Sequence, residues 1–251
     1  MSLGQHLVEL RKRLFRSALA LILASVAGFF LSTYVLDVLR DPITAMAEAR
    51  GTAATLNYPT IAGSFDLRIQ IAVTVGVILS SPVWLYQVWA FIVPALVRKE
   101  KVYAASFIGS AIPLFLLGCA SGYFVLPHIV EVLTGFVSTE DAAIIDAKQY
   151  FDFVLKLILA VGIAFVLPVF LVLLNFVGVI SAVGIIKGWR VAILLIALFT
   201  AIATPAADVF SMFLLAIPMI ILYFAAAGVA WLHDRQVAKR VAALDAELAG
   251  K

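Results

Sequence analysis

Two carboxylates set among basic residues are the groups in this sequence best suited to binding chemistry. Glu9 lies in HLVELRKRL and Glu100 in VRKEK, between Arg98, Lys99 and Lys101. On a helix, Glu9 reaches Lys12 at i+3 or Arg13 at i+4. A carboxylate at either place accepts a guanidinium, often through two parallel bonds. The same residues also suit a solvated ion pair at Glu9 and a neutralising surface charge at Glu100. Asp208, flanked by Thr204 and Ser211 in TPAADVFS, suits capping the helix that follows it. Catalytic signatures are absent: the chain has no HExxH, CxxC or GxSxG. His6, His128 and His233 are far apart and read as surface residues. The single cysteine, Cys119, sits in an apolar run and reads as a small buried hydrophobe. No cofactor is implied.

The elements that position these groups are membrane helices. The chain has 251 residues, 64% hydrophobic and 13% charged, with a mean hydropathy of +1.11. Soluble domains carry roughly 25% charged residues. In lipid every backbone polar group must be satisfied internally, which leaves helices or a closed barrel. Barrel strands alternate in polarity over about 10 residues. The runs here are long and continuous, as in IAVTVGVILSSPVWLYQVWAFIVPAL. They predict an all-α integral membrane protein with six spans, at about 15–36, 69–93, 103–126, 150–177, 190–204 and 210–232. These form one membrane domain over residues 1–232, followed by a tail over 233–251 that reads as a short or frayed helix.

Between the first two spans, Asp37–Arg68 is more polar and carries Pro42, Gly51, Pro59 and Gly63. It reads as a connection with a short surface helix around Ile43–Arg50. Pro127–Lys148 reads as an exposed acidic loop, and Pro82 as a kink in the second span. The fifth and sixth helices are expected to be short. A run of 15 residues spans about 22 Å, against about 30 Å of hydrocarbon, so the fifth should thin the bilayer locally. Leu3, Leu7, Leu10 and Leu14 form an apolar stripe for the membrane interface.

Orientation follows from the basic residues. With the N-terminus inside, Arg11, Lys12, Arg13, Arg16, Arg98, Lys99, Lys101, Lys187, Arg190, Arg235, Lys239, Arg240 and Lys251 fall on the cytoplasmic side. Only Arg40, Arg50, Arg68, Lys148 and Lys156 fall outside or at the outer boundary. Both termini are therefore expected in the cytoplasm. The same placement accounts for the basic isoelectric point without a nucleic-acid partner. A small-solute transporter would place an ionisable group or a broken helix at mid-depth. No mid-depth acid stands in these spans, which disfavours that class. A membrane enzyme lacks its constellation, and a purely structural subunit remains the other alternative.

Three motifs carry a resemblance. HLVELRKRL precedes the first span, SSPVWLYQVWAFIVPALVRKEK closes the second, and TPAADVFSMFLLAIPMIILY joins the fifth and sixth. In this order they resemble TatC, the large subunit of the twin-arginine protein translocase, over about Ser2–Trp231. The resemblance implies a non-enzymatic, cupped, six-span receptor of the bacterial cytoplasmic membrane, N-in and C-in. Such proteins bind twin-arginine signal peptides of folded cargo. They assemble with TatA and TatB into an oligomeric complex driven by the proton-motive force. The F-x-x-P-x-L-x-x-x-E motif matches at Phe91, Pro94, Leu96 and Glu100, which implies signal-arginine contact at Glu100 with Phe91 shaping the site. H-L-x-E-L-R matches at His6, Leu7, Glu9, Leu10 and Arg11, and implies a second acidic contact at Glu9. Thr204, Pro205, Asp208 and Ser211 match the outer-turn motif, near where partner subunits dock. The chain departs from many relatives at Gln70, Val166, Met212 and Phe224, each replacing a more polar family residue.

Overall fold

The structure, a computed structural model, describes residues 3–50, 55–58, 60, 62–92, 101–134, 144–204 and 209–249. In chain order these form α1 (Leu3–Arg50), β1 (Thr55–Asn57), α2 (Gly63–Leu79), α3 (Ser81–Ile92), α4 (Lys101–Thr134), β2 (Ile144–Asp146), α5 (Ala147–Phe176), α6 (Ala182–Lys187), α7 (Trp189–Ala203) and α8 (Val209–Ala249). The long apolar runs all become helix. The two short strands pair in parallel, Thr55 opposite Ile144 through Asn57 opposite Asp146. They tie the connection after α1 to the start of α5.

Among the described residues four helices, α1, α4, α5 and α8, are long and apolar enough to cross a membrane, and the bent pair α2–α3 has the length and composition for a fifth if it is one span. The apolar α7 has 15 residues and reaches about 22 Å. α1 lies along α2, α4 along α5, and α8 against α5 and α7. The core gathers Ile71, Leu85, Phe115, Phe151, Val161 and Phe165 from α2 to α5. Phe30, Phe124, Leu194 and Ile202 stand outward on the bundle's rim, as side chains facing lipid must.

Several helices outrun their expected ends. α1 does not stop near Leu36 but continues through Asp37 and Pro42 to Arg50, so the expected polar connection there is largely helix. Proline at 42 lacks an N–H and leaves the carbonyl of Val38 without its helical donor. The Tyr123 hydroxyl of α4 donates to that carbonyl at 3.3 Å. The next carbonyl, Leu39, accepts from the Tyr150 hydroxyl of α5 at 3.1 Å. Neighbouring helices thus restore what the proline removes, as membrane interiors require.

α4 likewise passes Pro127 and ends at Thr134, which shortens the expected acidic loop. At the other side of that loop, Asp146 caps α5 by accepting the Gln149 amide at 3.1 Å. The expectation of a short sixth helix is corrected outright. α8 is 41 residues long and absorbs the tail as continuous helix. Val209–Leu232 alone is long enough to cross the hydrocarbon.

α5 ends in a left-handed glycine. Gly178 has φ +80°, with its N–H on the Asn175 carbonyl and the Val179 N–H on the Leu174 carbonyl. This paired closure needs a residue without Cβ at that position. It turns the chain into Ser181, whose hydroxyl caps the short α6.

Candidate functional site

The His6, Glu9 and Arg13 positions recur at three and four residues, so α1 presents them on one face. At that end of the bundle the face meets the C-terminal half of α3. Arg13 Nε donates to Glu9 Oε1 at 3.0 Å, and Nη2 donates to the same oxygen. Arg13 Nη1 reaches across to Gln87 Oε1 on α3 at 3.4 Å. The pair is mostly buried, with side-chain exposures of 20% for Arg13 and 25% for Glu9. One turn away, the His6 ring stacks on Phe91 with centroids 4.5 Å apart and planes 23° apart. Of the two partners open to Glu9 in the sequence, Arg13 takes it, while Arg11, Lys12 and Arg16 are exposed.

The break between α2 and α3 makes this meeting possible. The two helices turn by 58° at Ser80. Pro82 falls in the first turn of α3, where a missing N–H costs nothing. The Trp84 indole N–H donates to the Val77 carbonyl at 2.9 Å and satisfies a backbone group that the break leaves open. The turn carries Gln87 and Phe91 to the N-terminal face of α1. Of the other residues assigned to this site, Pro94, Leu96 and Glu100 lie outside the described residues. Arg11 is exposed on the flank of the Glu9 face.

At the opposite end, Thr204 terminates α7 in an extended conformation. Its buried hydroxyl donates to the Thr200 carbonyl at 2.9 Å, and the Thr200 hydroxyl in turn reaches Ile196. Ser211 is fully buried in the first turn of α8. Pro205 and Asp208, between them, lie outside the described residues.

The histidines are not plain surface residues. Besides His6 on Phe91, His128 lies on Phe210 and His233 on Phe176, each at 4.4 Å between centroids. Each imidazole joins two different helices and is only partly exposed. Among the described residues no group of three or more His, Cys, Asp or Glu side chains comes together.

Two arrangements were not singled out from the sequence. One is Gln87, a buried amide that anchors Arg13. Its signal was a polar residue in an otherwise apolar run. The other is a polar joint at the end of α5. Asp234 on α8 accepts the Ala182 amide at 2.7 Å and the Asn175 side chain at 2.9 Å, and Asn175 also donates to Ile180. These donors hold the Asp234 carboxyl below its ordinary value. Of the positions that depart from the family pattern, Val166 is packed in the core of α5 and Phe224 is exposed on α8.

Comparison with known proteins agrees with this architecture. A family model described as Sec-independent protein translocase protein (TatC) matches residues 5–218. The chain is 41% identical over 242 residues to the Sec-independent protein translocase protein TatC of Xylanimonas cellulosilytica, covering 96% of this chain and 88% of that one. It is 33% identical over 225 residues to TatCy of Bacillus subtilis, covering 89% and 86%. A crystal structure of the twin arginine translocase receptor TatC superposes with a TM-score of 0.75 at 34% identity, over 90% of this chain and 98% of that one. The chain belongs to the TatC family of Sec-independent protein translocase proteins.

Proposed function

We propose that this chain, a non-enzymatic core subunit of the twin-arginine translocase, receives the twin-arginine signal peptide of folded cargo at the Glu9 end of the bundle. The observation that carries the reading is the joining of His6, Glu9, Arg13, Gln87 and Phe91 across α1 and α3. A mostly buried carboxylate beside stacked rings is suited to a planar cation, which takes hydrogen bonds in its plane and ring contacts on its faces. Glu100 supplies the second carboxylate, with Pro94 and Leu96 in the same motif. Arg11 flanks the entrance.

The orientation that serves this role is N-in and C-in, so that the Glu9 end faces the cytoplasm of a bacterial cell. The distribution of Lys and Arg supports it. The apolar stretch of the signal then inserts along the concave side of the helices. The turn of Thr204, Pro205, Asp208 and Ser211 faces outward, where TatA and TatB dock. Transport of folded cargo by the assembled complex is driven by the proton-motive force.

The test is binding of a labelled twin-arginine signal peptide to the purified protein in detergent. Hydrogen bonds to charged groups contribute about 1.5–3 kcal/mol each, so Glu100→Gln and Glu9→Gln should each weaken binding about tenfold to a hundredfold. A Lys-Lys peptide should bind more weakly than the Arg-Arg peptide. Equal binding by both variants and wild type would defeat the assignment of these carboxylates.

A further inference from the structure

The bond between Arg13 and Glu9 raises a question of economy. A receptor for arginine gains from an unneutralised carboxylate, yet this one is already held by a guanidinium of its own chain. An i,i+4 pair contributes only about 0.3–0.5 kcal/mol to a helix, so helix stability is a poor reason for it. The geometry is also more than such a pair requires. Arg13 donates from Nε and Nη2 to one oxygen, Oε1, and from Nη1 to Gln87 on a separate helix. Three of its nitrogens are thereby fixed, and both side chains of the ion pair are largely shielded from water. Arg11, Lys12 and Arg16 stand exposed on the same helix. What distinguishes Arg13 from them is its place on Glu9.

Cancelling the charge of Glu9 changes what the carboxylate can attract. An ammonium is a compact, strongly hydrated point charge, and it is drawn by net charge. Beside Arg13 that attraction is largely gone, and the resident guanidinium repels it. A second guanidinium is less strongly hydrated and carries its charge over a plane. It can still donate to the remaining lone pairs of Glu9 and lay a face against the His6 and Phe91 rings one turn away. Resting on the reading of Glu9 as a signal-peptide contact, we infer that Arg13 is a specificity-determining residue. Fixed on Glu9 and Gln87, it strips the carboxylate of net charge, so that the site accepts an arginine side chain and rejects a lysine. Gln87 is its positioning residue, because it holds Nη1 and keeps the fork turned toward Glu9.

The experiment measures affinities of full-length protein in detergent for a fluorescent Arg-Arg signal peptide and its Lys-Lys counterpart. The readout is the ratio of the two. In Arg13→Gln the charge of Glu9 is exposed, so the Lys-Lys peptide should bind more tightly. The ratio should then fall about tenfold, the scale of one close charge–charge contact. Arg13→Lys keeps the charge but gives up the fork on Glu9 and the bond to Gln87, so its ratio should fall between those of wild type and Arg13→Gln. Gln87→Ala removes the anchor and should lower the ratio by a smaller amount, which keeps the test alive if Arg13→Gln does not fold. An unchanged ratio in Arg13→Gln, with both affinities falling together, would overturn the inference and leave the receptor reading intact. A wild type that binds neither peptide would instead defeat the receptor reading, and this inference with it.

Discussion

Replacing Gly118 by alanine should loosen the contact between α4 and α5, on which much of the bundle depends. A Cβ at this position would stand 2.8 Å from the Val161 carbonyl oxygen, 2.9 Å from Gly162 Cα and 2.9 Å from Phe165 Cβ. All three obstacles belong to α5, and two are backbone, so no side chain can swing away to make room. The helices must part locally by roughly half an ångström or more, a gap that forfeits a quarter to a half of each dispersion contact across it. Overpacking of this kind costs about 1–3 kcal/mol. For a chain of this size, a cost of about 2 kcal/mol lowers Tm by about 4–8 °C. Thermal unfolding in detergent, followed by loss of the monodisperse peak, measures it. Gly109→Ala on the same helix is the control, because a Cβ there meets nothing within 4 Å. It should leave Tm unchanged or raise it, since alanine favours helix over glycine. A Gly118→Ala protein within about 1 °C of wild type, or a Gly109→Ala protein that falls as far, would refute the close-approach reasoning.

Tyr123→Phe removes the donor to the Val38 carbonyl and should destabilise the protein by about 1 kcal/mol, with limited proteolysis newly detecting α1 beyond Pro42. Unchanged protection would mean that the helix carries Pro42 unaided. Asp234→Ala should lower Tm at neutral pH by freeing the Ala182 and Asn175 donors. Because the folded Asp234 carboxyl is held below its ordinary value, its contribution is full above about 3.8 and lost as pH falls further through the depressed folded value. The gap between wild type and variant should therefore stay constant from pH 7 to 5 and close only below about pH 4. A gap that closed between pH 7 and 5 would refute the assignment of this contribution to the Asp234 carboxyl.

What could be read from the sequence was local. Continuous apolar runs mark helices because lipid permits little else. The spacing of Glu9 and Arg13 carries their pairing, and Pro82 carries the break that the structure places at Ser80. The extent of α1 was not local. Pro42 reads as a breaker on its own, and only Tyr123 and Tyr150, far along the chain, make it tolerable. The histidines misled for the same reason. Each owes its burial to a phenylalanine on another helix, which no spacing within HLVELRKRL or around His128 and His233 reveals. The tail was read as separate because its residues turn polar after Leu232. A helix already held by Asp234 has no reason to stop there, since charged residues beyond the membrane keep good helix propensity.

The bend at Ser80 connects fold to site. A turn of 58° over the stretch from Ser81 to Phe91 carries the Phe91 ring roughly 13 Å off the α2 axis, at about 1.5 Å per residue. A straight second span would leave Phe91 and Gln87 away from the α1 face that bears His6, Glu9 and Arg13. The stack and the Arg13–Gln87 bond could not then both form. Pro82 and the Trp84 bond to Val77 thus act on the proposed binding end through the placement of Gln87 and Phe91. Their substitution should register in peptide recognition as well as in stability. His6 and Phe91, separated by most of the first two spans in sequence, stack on each other because the second helix is broken at Ser80.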